Sequence, residues 1–180
     1  MYPSQLDLLA SNVNGGNTYE GKYFKLGADI TYNYEGLGAN ESNYTPIGTG
    51  SYAFHGTFDG NNKTISGIRI YTTYTTGDYK GVFKFVGSNG TVKNVVLANS
   101  IFKAKVYVGG IASRNAGILT NCRVEGTVEI LPIDEISLYH GGIVAENTGT
   151  VSGCISAAIV DRNDMLNVRN YGGIDGASNI

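Results

Sequence analysis

The sequence predicts an all-β fold, a right-handed parallel β-helix (solenoid) with a short N-terminal capping helix. Three observations predict it. The chain repeats itself: residues 107–122 read YVGGIASRNAGILTNC, and residues 139–154 read YHGGIVAENTGTVSGC, identical at seven of sixteen positions and offset by 32 residues. Short runs rich in Val, Ile, Thr and Tyr are broken by Gly and Asn, which makes them strands, too short for helices. Gly supplies 26 of 180 residues, about twice its average share, and recurs periodically, as tight turns between short strands require.

A unit of about 30 residues cannot bury its own apolar side. Stacking such units gives each strand a parallel partner and closes one continuous core, with rungs about 4.8 Å apart. A β-propeller blade, at about 40–50 residues, is longer than this period. An ordinary sandwich would not repeat its sequence.

The N-terminus comes first. Ser4-Gln5-Leu6-Asp7 before Leu8-Leu9-Ala10 predicts a helix with Ser4 as N-cap, accepting from the Asp7 amide. Asn14-Gly15-Gly16 ends it. Such a helix covers the open edge of the first coil. Residues 1–180 form a single domain, with 1–45 as cap and lead-in strands and 46–180 as repeat coils.

The coils follow. Thr64-Ile65-Ser66-Gly67-Ile68, Thr91-Val92-Lys93-Asn94-Val95, Ile118-Leu119-Thr120-Asn121-Cys122 and Thr150-Val151-Ser152-Gly153-Cys154 match at offsets of 27, 27 and 32 residues. Ile68, Val95, Cys122 and Cys154 are then expected in one interior column. The one-residue slip inside each segment predicts a bend. A second element recurs at Tyr79, Tyr107 and Tyr139, which form a second column. A further copy opens at Tyr171-Gly172-Gly173-Ile174. The last residues, 176–180, carry no cap signal, so the chain reads as a fragment of a longer one, or as one whose last rung is covered by something else.

Bulk properties exclude several classes. The net charge is −2 with no basic run, which argues against a nucleic-acid surface. No apolar run reaches about 18 residues, so no segment is expected to insert in a membrane. The start lacks the charged and apolar regions of a secretion signal.

Candidate sites each have a structural alternative. Asp59-Gly60-Asn61-Asn62 offers oxygens suited to calcium but lacks the spacing of a calcium loop, and a plain turn is the better reading. His55 and His140 form no zinc motif, and His140 takes the slot of Val108. Cys122 and Cys154 stack as free thiols acting as small hydrophobes, because parallel side chains bridge poorly. Glycoside cleavage needs converging carboxylates, and Asp59, Asp78, Glu125, Asp134, Glu135 and Glu146 do not recur as a cluster. The chain is therefore expected to be no enzyme, with no catalytic residues, cofactor or metal. The best binding candidates are Tyr71, Tyr74 and Tyr79, in a Thr- and Tyr-rich stretch suited to stacking on sugars or to protein contacts. The alternative is that they simply pack. Any local function should sit in the non-repeated stretches 71–79, 131–138 and 32–44.

Phe54-His55-Gly56-Thr57-Phe58-Asp59-Gly60-Asn61-Asn62-Lys63-Thr64-Ile65-Ser66-Gly67-Ile68 resembles the segment that precedes GLUG-motif repeats. The preceding Tyr44-Thr45-Pro46-Ile47-Gly48 and Phe24-Lys25-Leu26-Gly27-Ala28-Asp29-Ile30 fit the same pattern, and the Gly-Gly-Ile elements are similar to the repeat itself. The copies depart from it at Ser113 and Ala145, where the motif has glycine; Gly173-Ile174-Asp175-Gly176 restores it. The resemblance implies an extracellular or cell-surface location in bacteria and a structural or adhesive role as part of a larger protein, with a host protein or glycan as partner. It carries no catalytic residues. A carbohydrate-binding or carbohydrate-processing β-helix is the alternative.

Overall fold

The computed structural model describes residues 2–73, 79–133, 139–160, 171–172 and 174. One helix, α1 (Pro3–Asn14), precedes a stack of short strands. The first coil carries β1 (Tyr23–Lys25) and β2 (Ile30–Thr31). The second carries β3 (Thr57–Asp59), β4 (Thr64–Ser66), β5 (Arg69–Tyr71), β6 (Tyr79–Lys80) and β7 (Phe83–Val86). The third repeats this with β8 (Thr91–Lys93), β9 (Val96–Ala98), β10 (Ser100–Lys103), β11 (Tyr107–Gly109) and β12 (Ala112–Asn115). The fourth has β13 (Ile118–Thr120), β14 (Arg123–Val124), β15 (Val128–Leu131), β16 (Tyr139–Gly141) and β17 (Val144–Asn147). The last has β18 (Thr150–Ser152), β19 (Ile155–Ser156), β20 (Ile159–Val160) and β21 (Tyr171–Gly172).

Each strand pairs in parallel with its equivalents above and below, so the coils build five sheets: β1-β3-β8-β13-β18, β2-β4-β9-β14-β19, β5-β10-β15-β20, β6-β11-β16-β21 and β7-β12-β17. This is the predicted β-solenoid. Alternation along each strand sends one side chain inward. Phe58, Val92 and Leu119 form one fully buried column, Ile30, Ile65 and Leu97 form another, and Phe102 and Ile130 line a third. Burying a side chain of this size contributes about 1.5–3 kcal/mol, so the coils hold together through their shared interior.

The corners explain the Gly and Asn content. Asn94 (φ 54°), Asn121 (φ 52°) and Gly153 (φ 60°) are left-handed residues at one corner of successive coils. Asn tolerates this conformation better than other side chains do. These residues are the bend that the one-residue slip predicted. At another corner, Gly56, Gly90, Gly117 and Gly149 precede the paired Thr57, Thr91, Ile118 and Thr150. A Cβ on Gly117 would lie 2.2 Å from the Gly90 carbonyl oxygen, and one on Gly149 would lie 2.2 Å from that of Gly117. Here the coils approach so closely that any side chain would collide with the coil before.

Two expectations need correction. Ile68 does not share a column with Val95, Cys122 and Cys154; its backbone N–H meets the Ser100 hydroxyl at 3.1 Å on a different sheet. The true partner of Thr91 is Thr57, so the coil offset there is 34 residues, not 27. Thr64–Gly67 and Thr91–Asn94 each run from a strand into a left-handed residue, which makes two different corners look alike. Ser4 is not the N-cap. The helix starts at Pro3, after Tyr2, whose N–H donates to the Gln5 side-chain oxygen at 2.8 Å. Pro suits the first helical position because the N–H it lacks has no partner there.

The helix buries Leu6, Leu9, Ala10 and Val13 in the same core cluster as Leu26, Ile30 and Ile47 of the first coil. Polar contacts seat it. The Tyr32 hydroxyl donates to Asp7 Oδ1 at 2.8 Å, and Asn14 binds the Pro46 carbonyl and the Gly48 N–H. Tyr32 and Tyr44, the ends of the 32–44 stretch, meet edge to face at 5.2 Å, and burial pushes both phenols up. A polar groove of about 670 Å³ runs beside the helix, past Asp7, Ser11, Ser42 and Thr45.

Candidate binding face

The tyrosine column exists. Tyr79, Tyr107 and Tyr139 are register partners at the start of β6, β11 and β16. Their rings stack, 4.7 Å apart at 7° for Tyr79–Tyr107 and 4.7 Å at 11° for Tyr107–Tyr139. All three are half-buried. Parallel pairing sets Cα spacing near 4.8 Å, close to the stacking distance of flat rings, so identical residues fall into contact. Burial pushes the Tyr107 phenol up, and the flanking Tyr79, Glu146 and Tyr139 add to it.

A second column runs beside the first: Phe85, Arg114 and Glu146, paired across β7, β12 and β17. Phe85 lies 4.9 Å from the Tyr79 ring. Arg114 sits over Phe85 at 6.0 Å and grips Glu146 through Nε (2.9 Å) and Nη2 (3.1 Å). The Lys84 ammonium is 5.9 Å from the same ring. Below this column, Ala53, Phe85, Val86, Gly87, Ala116 and Arg114 line a cleft of about 260 Å³. The face thus joins an aromatic ladder, an apolar hollow and one arginine.

Of the predicted binding residues that are described, Tyr79 belongs to this face and Tyr71 does not. Tyr71 lies on the neighbouring sheet at the end of β5, under the Lys103 ammonium at 5.7 Å, with its backbone N–H and C=O both bonded to the Ser42 hydroxyl. Tyr74 lies outside the described residues, as do Asp78, Asp134 and Glu135. Phe85 and Arg114 were not singled out from sequence, and Glu146 was weighed only among the carboxylates. A signal was there: Arg114 and Glu146 hold the same place in the two repeats with opposite charge.

The other candidates resolve locally. Asp59 is a turn residue, accepting from the Asn61 backbone N–H (2.8 Å) and the Asn94 side chain (2.9 Å). Its other oxygen takes the Tyr23 hydroxyl, with Lys93 at 3.8 Å. Burial works against its ionisation, but the bonds from Tyr23, Asn94 and Asn61 outweigh it and hold the carboxyl at about 2. His140 does pair with Val108, fully buried, and burial lowers its imidazole to about 4 against a hydrogen bond to the Lys105 backbone. Glu125 pairs with Arg123 at 2.8 Å. Among the described residues, no three His, Cys, Asp or Glu side chains gather to hold a metal ion.

Comparison with known proteins gives two distant relatives. Over 109 residues, 59% of this chain, it is 33% identical to a Gly-rich membrane protein of Evansella cellulosilytica, of which that stretch is 12%. Over 131 residues, 70% of the chain, it is 28% identical to halomucin of Haloquadratum walsbyi, of which that stretch is 1%. The chain thus spans a small part of the curated relatives it matches. No protein-family model matches it. No solved structure matches it. No described helix is long and apolar enough to cross a membrane.

Proposed function

We propose that the chain is a non-catalytic structural or adhesive module of a larger surface protein, a β-helix rod that presents one face for binding or spaces another domain. The observation that carries this reading is the ladder of Tyr79, Tyr107 and Tyr139 with its Phe85–Arg114–Glu146 neighbour, a contact surface continuous over three coils. Asp59, Glu125 and Glu146 are each held by a cation of their own at separate places in the coils, which suits a scaffold better than proton transfer. Surface placement draws on the description of one relative as a membrane protein, on the halomucin match and on the GLUG resemblance.

The test is binding of the purified chain to an array of glycans and host matrix proteins. Specific binding that is lost on replacing Tyr79 and Arg114 with Ala supports the adhesive reading. Binding that survives those changes but is lost with Tyr71→Ala moves the site to the neighbouring sheet. A second reading, a carbohydrate-binding domain, is favoured by the cleft, where Phe85 offers apolar surface beside the Arg114–Glu146 ion pair. Binding confined to glycans selects it. Turnover of any bound glycan would overturn the non-catalytic reading.

A further inference from the structure

Cys122 and Cys154 each stand one residue before the paired Arg123 and Ile155, on successive coils. Both are free thiols; Cys122 is 1% exposed and Cys154 half-buried. The Cys154 side chain turns back along the axis, and its sulfur accepts the Cys122 backbone N–H at 3.4 Å. The Cys122 thiol points toward the carbonyls of Thr120 (3.5 Å) and Val92 (3.7 Å). Register neighbours in a parallel sheet have Cα atoms about 4.8 Å apart, inside the span a disulfide bridges. The drawback of parallel side chains is relieved here, because Cys154 leans onto its neighbour.

We propose that Cys122 and Cys154 are a disulfide-forming pair that staples the fourth coil to the fifth, with Cys154 as the attacking thiol, Cys122 as the buried resolving thiol, and a low-molecular-mass disulfide as oxidant. The Cys154 sulfur is partly exposed and receives an N–H. The contact with Cys122 also lowers its thiol to about 7, while that contact and burial push Cys122 up. A thiol that ionises near ambient pH is the better attacker. The Cys154 thiolate displaces one thiolate from the oxidant and forms a mixed disulfide. Cys122 then attacks the Cys154 sulfur, the second small thiolate leaves, and it takes up the Cys122 proton. The protein loses two hydrogens, and the oxidant is reduced to two thiols.

The test uses the full chain, reduced and then exposed to oxidised glutathione. Wild type should lose the mass of two hydrogens and retain no glutathione. Cys122→Ser should stop at a stable glutathione adduct on Cys154, and Cys154→Ser should stay unmodified. In the native reduced chain, alkylation of Cys154 should outpace that of Cys122 by at least roughly tenfold. The oxidised form should show slower hydrogen exchange over residues 150–160. A wild type that keeps its glutathione adduct or does not react, or a Cys122 alkylated as fast as Cys154, overturns the proposal. The alkylation comparison needs no variant, so a serine mutant that fails to fold does not shelter it.

Discussion

The ring of Tyr107 lies 4.7 Å from that of Tyr79 and within 7° of parallel. With Tyr139 on its other side, Tyr107 spends both faces on its neighbours. The ladder therefore offers ring edges and hydroxyls to a partner, where isolated tyrosines would offer faces. An aromatic pair contributes about 0.5–1.5 kcal/mol beyond its buried area. Tyr107 makes two such stacks in the ladder and Tyr139 one, so Tyr107→Ala should cost about 1 kcal/mol more than Tyr139→Ala in urea unfolding. Tyr107→Phe should cost far less than either. Equal losses for the two alanine variants would mean that the rings contribute through area alone.

Gly117 sits where a Cβ would meet the Gly90 carbonyl at 2.2 Å. The atom it would meet belongs to the backbone, so no side chain can swing away. Gly117→Ala should destabilise by about 2–3 kcal/mol, at the upper end for overpacking. A melting temperature equal to wild type would show that the coils can slide apart at this corner.

His140 is buried, and its imidazole titrates near 4 in place of the usual 6.5. Between those values the unfolded chain takes up a proton that the folded chain refuses. Stability is then fully present above about pH 6.5 and falls as the pH drops toward 4. One pKa unit corresponds to about 1.4 kcal/mol, so the loss is on the order of 3 kcal/mol. His140→Val, which copies Val108 of the previous coil, should flatten the dependence; urea midpoints at both ends of the window would read it. An unchanged slope would assign it to another group.

Asp59 works in a lower window. Its folded value of about 2 lies below the ordinary 3.8, so its contribution is present above about pH 3.8 and disappears as the pH falls toward 2. Asp59→Asn should remove that acid limb and weaken the corner at all higher pH, since the Lys93 ion pair needs the charge and an amide keeps only one of the two oxygens that accept here. Thermal melts across this range, compared with His140→Val, should show two separable acid limbs.

The solenoid was legible because a coil that must stack on its copy repeats its residues. The Tyr79–Tyr107–Tyr139 column and the pairing of Val108 with His140 followed directly. The second coil was misread because a strand followed by a left-handed residue looks the same at every corner, and Gly60-Asn61-Asn62-Lys63 gives its first corner more residues than Asn94-Val95 gives the next. The helix start was misplaced because Gln5, three residues after Tyr2, supplies the cap acceptor in place of Ser4. At the candidate face, side chains on neighbouring sheets meet around a corner, and no periodicity within one strand reports that. Phe85 beside Tyr79 is such a contact. Tyr71 is the converse, near Tyr79 in the chain but turned onto another sheet.

Helix α1 closes one end of the stack, and its consequence is mechanical. Backbone hydrogen bonds between coils run along the axis, so an axial pull strains one coil boundary at a time. The coil sealed by Leu6, Leu9 and Val13 has the most to lose, so boundaries further along the chain should yield before it. Each coil of 27 to 34 residues, released as extended chain, adds roughly 100 Å. Single-molecule stretching should therefore give a sawtooth of near-equal steps, the mark of a tether that yields by increments and absorbs load before it fails.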